Sequence, residues 1–157
     1  EALTPGQDWQ ALRRTGYLLI RAANFGPLRL PSEWVGTQAA QLRPAQGFEG
    51  TFGYNAIRIP LYLAWSSGVR PDDLRPYASM WNVAHDVGPF VIDIATGAAG
   101  ASLSAPGYRM VIGLAACIAA GRKIPFQVFH GRNDLYYPAT LHLLTLLAIG
   151  ERYPQCL

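Results

Sequence analysis

Apolar residues recur at helical spacing in five stretches of the chain, separated by connections rich in glycine and proline. From Asp8 to Ala23, Trp9, Leu12, Tyr17, Leu19 and Ile20 predict a helix with one broad buried face. Phe25 to Gly53 holds Pro27, Pro31 and Pro44 among several glycines and predicts an irregular or short-stranded excursion. The helical pattern returns in Asn55–Trp65 (NAIRIPLYLAW), with Pro60 early enough to be tolerated near a first turn. Asp72 or Asp73 is placed to cap a helix running to about His85, and Phe90–Ala95 (FVIDIA) resembles a short strand. Pro106 is placed to open a helix ending near Gly121, and Pro138–Ile149 (PATLHLLTLLAI) is the last strong helix before Tyr153-Pro154.

Connections this long exceed what a simple helical bundle needs, and long loops on a helical scaffold are where binding and catalytic groups collect. A toroid of helices with elaborated loops at one end fits the pattern better. Composition sharpens this picture. Half of the 157 residues are hydrophobic and 15% are charged, enough apolar material for a sizeable core. A mean hydropathy of +0.11 predicts that part of the surface belongs against another element.

The net charge of +3 is the excess of twelve arginines and one lysine over ten acidic residues; the cations are scattered from Arg13 to Arg152, whereas nucleic-acid binders gather them in a patch or stripe. No nucleic-acid partner is expected. The longest uncharged apolar run, Met110–Ala120, stops well short of the roughly 18 residues a membrane span needs. It reads as a buried core helix. Cys117 lies inside that run and reads as a packed free thiol, while Cys156 in the tail is free, paired or irrelevant. The three histidines, His85, His130 and His142, are far apart and read as structural. No metal-ligand spacing and no phosphate-binding glycine motif occurs, so no metal or cofactor is expected. The chain opens at Glu1 without a signal-peptide pattern, which predicts that a leader has been removed or that the natural start lies elsewhere.

Two stretches carry a resemblance. Gly53–Trp65 (GYNAIRIPLYLAW) resembles the family 8 glycoside hydrolase motif written roughly Y-[DN]-A-x-R-x-P. Asn133–Ala148 (NDLYYPATLHLLTLLA) is similar to the closing helix of those enzymes, and the ending RYPQC also fits. The resemblance implies an all-α fold, with the 157 residues forming one unit: the C-terminal part of an (α/α)6 barrel with irregular loops and short strands at one end. It also implies a cleft for β-1,4-glucan, inverting hydrolysis of the endoglucanase type linked to bacterial cellulose synthesis, and a periplasmic or secreted site.

Inverting hydrolysis needs an acid for the leaving oxygen and a base for water on the other face, roughly 6.5–9.5 Å apart. By resemblance the acid is a glutamate in an S-E-G-x-G-Y-G-M type motif, which does not occur in this chain. The expectation is that an N-terminal portion, on the same or a separate chain, supplies it, and that these residues alone are inactive. Many members have aspartate after the motif tyrosine; here it is Asn55, whose amide has no useful basicity near neutral pH but can orient a water through its carbonyl. Alternative bases are Glu49, otherwise a solvated loop carboxylate, and Asp134, otherwise a helix N-cap, with Asp86 and Asp93 weaker.

Arg58 sits three residues beyond Asn55, on the same helix face, and contacts sugar hydroxyls or pairs structurally with a carboxylate. Tyr54 either serves the catalytic water or packs in the core. Sugar rings stack their C–H faces on aromatics, which makes Trp34, Trp81, Tyr136 and Tyr137 the candidate platforms, ahead of Trp65 on its apolar helix. The competing expectation is a non-catalytic glucan-binding or assembly protein built on a degenerate barrel.

Overall fold

Pro106 opens the most deeply buried helix of the chain, and Gly121 closes it in the left-handed conformation with φ 67°. The computed structural model describes residues 6–81, 88–132 and 135–157. In chain order the elements are α1 (Trp9–Ala22), β1 (Val35–Gln38), β2 (Gln41–Pro44), β3 (Thr51–Phe52), α2 (Arg58–Trp65), α3 (Pro71–Ala78), β4 (Phe90–Asp93) and β5 (Ala99–Ser102). They continue with α4 (Pro106–Ala120), α5 (Phe126–Phe129), α6 (Tyr136–Arg152) and a 3₁₀ turn, Pro154–Cys156. Helix dominates, with short strands confined to the loops, as expected from the periodicity.

Helix α4 is the centre of the core, packing against α3, α6 and α2. Met110, Ile112 and Leu114 are wholly buried, each contributing about 1.5–3 kcal/mol of transfer free energy. Gly107 sets the approach of α4 to α6, because a Cβ there would lie 1.8 Å from the Pro138 carbonyl oxygen. Only glycine lets the two backbones come so close.

The end of α4 holds a correction. Cys117 is bonded to Cys156, 39 residues later, and is not a packed free thiol. The 3₁₀ turn brings Cys156 against the helix end, and Ile124 N–H donates to the Cys156 carbonyl at 3.0 Å. Helical spacing identifies Cys117 as core but carries no information about a distant partner.

Helix α1 starts where Asp8 accepts a hydrogen bond from Ala11 N–H at 2.7 Å. None of its residues is buried, and Leu12, Leu18 and Leu19 are exposed. Of its predicted apolar face, Tyr17 and Ile20 pack against the core, while Leu12 and Leu19 stay uncovered among the described residues. Polar contacts tie it to the rest: Arg21 forks onto Asp73 of α3 with two 2.8 Å bonds, Arg13 donates to Ser67 at 2.6 Å, and the Tyr17 hydroxyl donates to Ser66. Helix α3 begins at Pro71, where Asp73 accepts from Arg70 N–H at 2.9 Å. The Arg21 guanidinium holds the Asp73 carboxyl below the usual carboxylate range, against the opposing effect of burial.

The long excursion contains a two-stranded hairpin, β1–β2, and β3, the first strand of an antiparallel sheet ordered β3-β4-β5. The hairpin turns on Ala39 and Ala40, both at positive φ (49° and 61°).

Candidate functional site

Between β3 and α2 the sequence alternates what it buries with what it offers. Phe52, Ala56 and Ile57 are buried, while Tyr54 and Asn55 between them are exposed. Ile57 N–H donates to the Gly53 carbonyl at 3.0 Å, closing a tight turn into α2. The apolar residues act as anchors on both sides, so Tyr54 and Asn55 are held out from the core by packing behind them. Pattern reading starts the helix at Asn55; it begins at Arg58, because residues 54–57 form this turn.

Arg58 folds back over the turn. Its Nε donates to the Asn55 backbone carbonyl at 3.2 Å, and Nη2 reaches Asn55 Oδ1 at 3.4 Å, a long contact. From the start of α6, the Tyr137 hydroxyl donates to the Tyr54 carbonyl at 2.5 Å. The Tyr54 ring meets Tyr108 edge-on, and Tyr108 in turn tilts against Tyr137, both at centroid distances of 6.1 Å. Burial raises the pKa of Tyr108 and of Tyr137, keeping both phenols protonated near neutrality; for Tyr137 the Arg58 charge opposes the rise. Tyr137 acts there as a hydrogen-bond donor, not as a base.

Glu33 completes the group, and pattern reading passed over it. Its Oε2 accepts from Asn55 Nδ2 at 2.8 Å and its Oε1 from Asn55 N–H at 3.1 Å. Glu33 N–H is itself bonded to the Thr51 carbonyl at 2.7 Å, fixing its segment beside β3. Gly53 makes room for the carboxylate, since a Cβ there would lie 2.9 Å from Oε1. Twenty-two residues separate Glu33 from Asn55, and nothing local in Pro-Ser-Glu-Trp signals the pairing. The glycine before Tyr54 was the one available hint of a close approach.

The remaining candidates scatter. Trp34, next to Glu33, is 52% exposed and stacks on Phe48 at 4.8 Å, so one ring face is occupied. Tyr136 is 85% exposed at the start of α6. Glu49 stays in the exposed loop before β3, its carbonyl accepting from Thr51 N–H at 2.9 Å. Trp81 is corrected: it is 6% exposed, with its ring against the position where Gly113 lacks a Cβ, and has no free face for a sugar. Asp134, Asp86 and His85 lie outside the described residues. Asp93 accepts from the backbone and hydroxyl of Thr96, both at 2.7 Å, as a turn cap. His130 bonds the Phe126 carbonyl at 3.0 Å. His142 is buried and its pKa is lowered by that burial, although its bond to the Phe129 backbone opposes the shift. Among the described residues no group of three potential ligands could hold a metal, and no helix is long and apolar enough to cross a membrane.

A concavity of about 650 Å³ lies elsewhere. Tyr17, Arg21, Asn24, Arg70, Asp73 and Tyr77 line it, between α1 and α3. We place the site at Asn55 regardless. The concavity is floored by the ion pair that joins two helices, whereas the Asn55 group gathers exposed donors and acceptors with no such structural task.

Phenols, an amide, a guanidinium and a carboxylate, exposed at Tyr54 and Asn55 and partly covered at Glu33, Arg58 and Tyr137, are chemistry suited to a polyhydroxylated ligand. The family model for glycosyl hydrolases family 8 matches residues 2–151. The chain belongs to that family. It is 33% identical over 152 residues to a probable endoglucanase of Novacetimonas hansenii, covering 95% of this chain and 43% of that protein. Its fold is similar to the endo-beta-1,4-glucanase CMCax from Acetobacter xylinum, with TM-score 0.78 and 32% identity over 96% of this chain and 47% of the other. It is likewise similar to an endoglucanase from Komagataeibacter sucrofermentans, with TM-score 0.75 and 29% identity over 94% and 46%. The chain thus spans less than half the length of these relatives, and its helices and strands correspond to part of their barrel.

Proposed function

We propose that these residues form one wall of the glucan cleft of an inverting endo-β-1,4-glucanase, with Tyr54, Asn55 and Arg58 facing the substrate. The observation that carries this reading is the turn at 53–58, where buried anchors hold Tyr54 and Asn55 outward, with Arg58 folded against Asn55 and Tyr137 and Glu33 alongside. The relatives' names supply the reaction class, and inversion supplies the chemistry. Water attacks the anomeric carbon from one face while an acid protonates the leaving oxygen from the other. The acid belongs to the N-terminal portion of the enzyme, on the same polypeptide or a companion chain, and these residues alone release no product.

Arg58 and the phenols hydrogen-bond sugar hydroxyls, while Trp34 and Tyr136 offer ring faces further out. The Cys117–Cys156 bond supports a periplasmic or secreted location, since such bonds persist in oxidising compartments. A role beside bacterial cellulose synthesis fits the same class. A second reading, a non-catalytic glucan-binding or assembly protein, is favoured by one feature: the amide at Asn55 cannot take a proton from water.

The test is the full-length protein on carboxymethylcellulose. New reducing ends, with the anomeric configuration inverted in the first-formed product, are expected. Glucan binding without any reducing ends establishes the second reading instead.

A further inference from the structure

Water activation on an inverting wall requires a carboxylate, and the exposed position at the centre of this wall holds an amide. Among the described residues, the carboxylate bonded to Asn55 is not in the loop at Glu49. It is Glu33, which touches Asn55 twice, at 2.8 and 3.1 Å. We propose that Glu33 is the general base of this site and that Asn55 is the amide that holds it in place. The inference rests on the hydrolase reading and adds the residue that reading lacks.

The geometry argues for this in three steps. The hydrogen bond from Nδ2 to Glu33 assigns the Asn55 amide, leaving Oδ1 turned toward Arg58 as an acceptor. Each Glu33 oxygen accepts one bond from Asn55 and keeps a second acceptor direction. Glu33 is also only partly covered, so water reaches it. A water held between Glu33 and Asn55 Oδ1 is therefore oriented by both. In the reaction its oxygen bonds to the anomeric carbon and its proton passes to Glu33. The glycosidic bond breaks, and the leaving oxygen takes its proton from a carboxylic acid on the opposite wall. Among the described residues, Tyr137 from α6 lies close enough to feel the Glu33 charge, and Arg58 from α2 bonds the Asn55 carbonyl beside it. Gly53 is equally part of the device, because a side chain there would meet Oε1 at 2.9 Å.

The pairing also explains why an aspartate would not improve residue 55. A carboxylate there would sit within hydrogen-bond distance of Glu33, and two such groups hold one proton between them. The pair then ionises fully only at higher pH.

The experiment uses the full-length protein and three variants, with kcat and KM measured across pH on a soluble cello-oligosaccharide. E33Q is expected to lose about a thousandfold in kcat with KM within about threefold, the signature of a lost base. N55D is expected to shift the acid limb of the kcat profile upward without a gain in rate. E33Q/N55D, which moves the carboxylate by one side chain, is expected to recover at least about tenfold over E33Q. That double variant also decides the matter if E33Q alone is poorly folded. E33Q turnover within about threefold of wild type, or a double variant no better than E33Q, overturns the assignment of Glu33. Wild-type protein that releases no reducing ends overturns the hydrolase reading, and this assignment with it.

Discussion

Helix α1 is apolar along one face and α4 nearly all round, and the two meet opposite fates. In α4 ten residues from Gly107 to Cys117 are buried; in α1 none is. The difference lies in pattern and neighbours together, since a helix apolar all round belongs inside a core, while an amphipathic one needs a partner for a single face. Helix α4 finds α3 and α6 within this chain. On α1, Tyr17 and Ile20 pack against the core, whereas Leu12 and Leu19 remain 62% and 50% exposed. A chain spanning less than half the length of its relatives is expected to look like this: one region complete, another waiting for the remainder of the barrel.

The sharpest way to disturb the complete region is to open its covalent tie. Replacing both Cys117 and Cys156 with alanine removes a 39-residue loop closure and is expected to cost up to about 4 kcal/mol, read as a lowered denaturation midpoint. A cavity in α4 comes next. Leu114→Ala is expected to cost about 3 kcal/mol in the same measurement, because Leu114 is wholly buried beside other helices.

The tie between the two regions is electrostatic and smaller. Asp73→Asn, which removes the charge Arg21 grips, is expected to cost about 1–2 kcal/mol, discounted because Arg21 stays partly in water. Its sign with pH follows from the lowered carboxyl pKa: the contribution is complete above the ordinary aspartate pKa of about 3.9 and disappears as pH falls through the lower folded value. Acid titration of stability should therefore flatten in the variant. Smallest is the hairpin, where A39N/A40G relieves two alanines at positive φ and is expected to stabilise by about 1 kcal/mol.

Much of this was legible in the chain itself. Pro106 and Gly121 bracket α4 to within a residue, and Asp8 marks the start of α1, because caps and turn residues act locally. The Y-N-A-x-R stretch likewise identified the side chains that the turn holds outward. The pairs across distance were not legible. Cys117 with Cys156, Glu33 with Asn55, and Trp81 over Gly113 each depend on how separate segments meet, which periodicity does not encode. Trp81 shows the limit clearly. A tryptophan between Met80 and Asn82 reads equally as a platform or as core, and the contact with Gly113 decides between them.

Leu19 offers the most direct measurement of the central claim, that the open face of α1 is covered by the rest of a barrel. Thermal denaturation of Leu19→Ala in the full-length protein is expected to show a loss of about 2–3 kcal/mol, the cost of a buried leucine. A loss below about 0.5 kcal/mol, as for an ordinary surface position, would mean that the face stays open and that these residues are not one wall of a larger toroid.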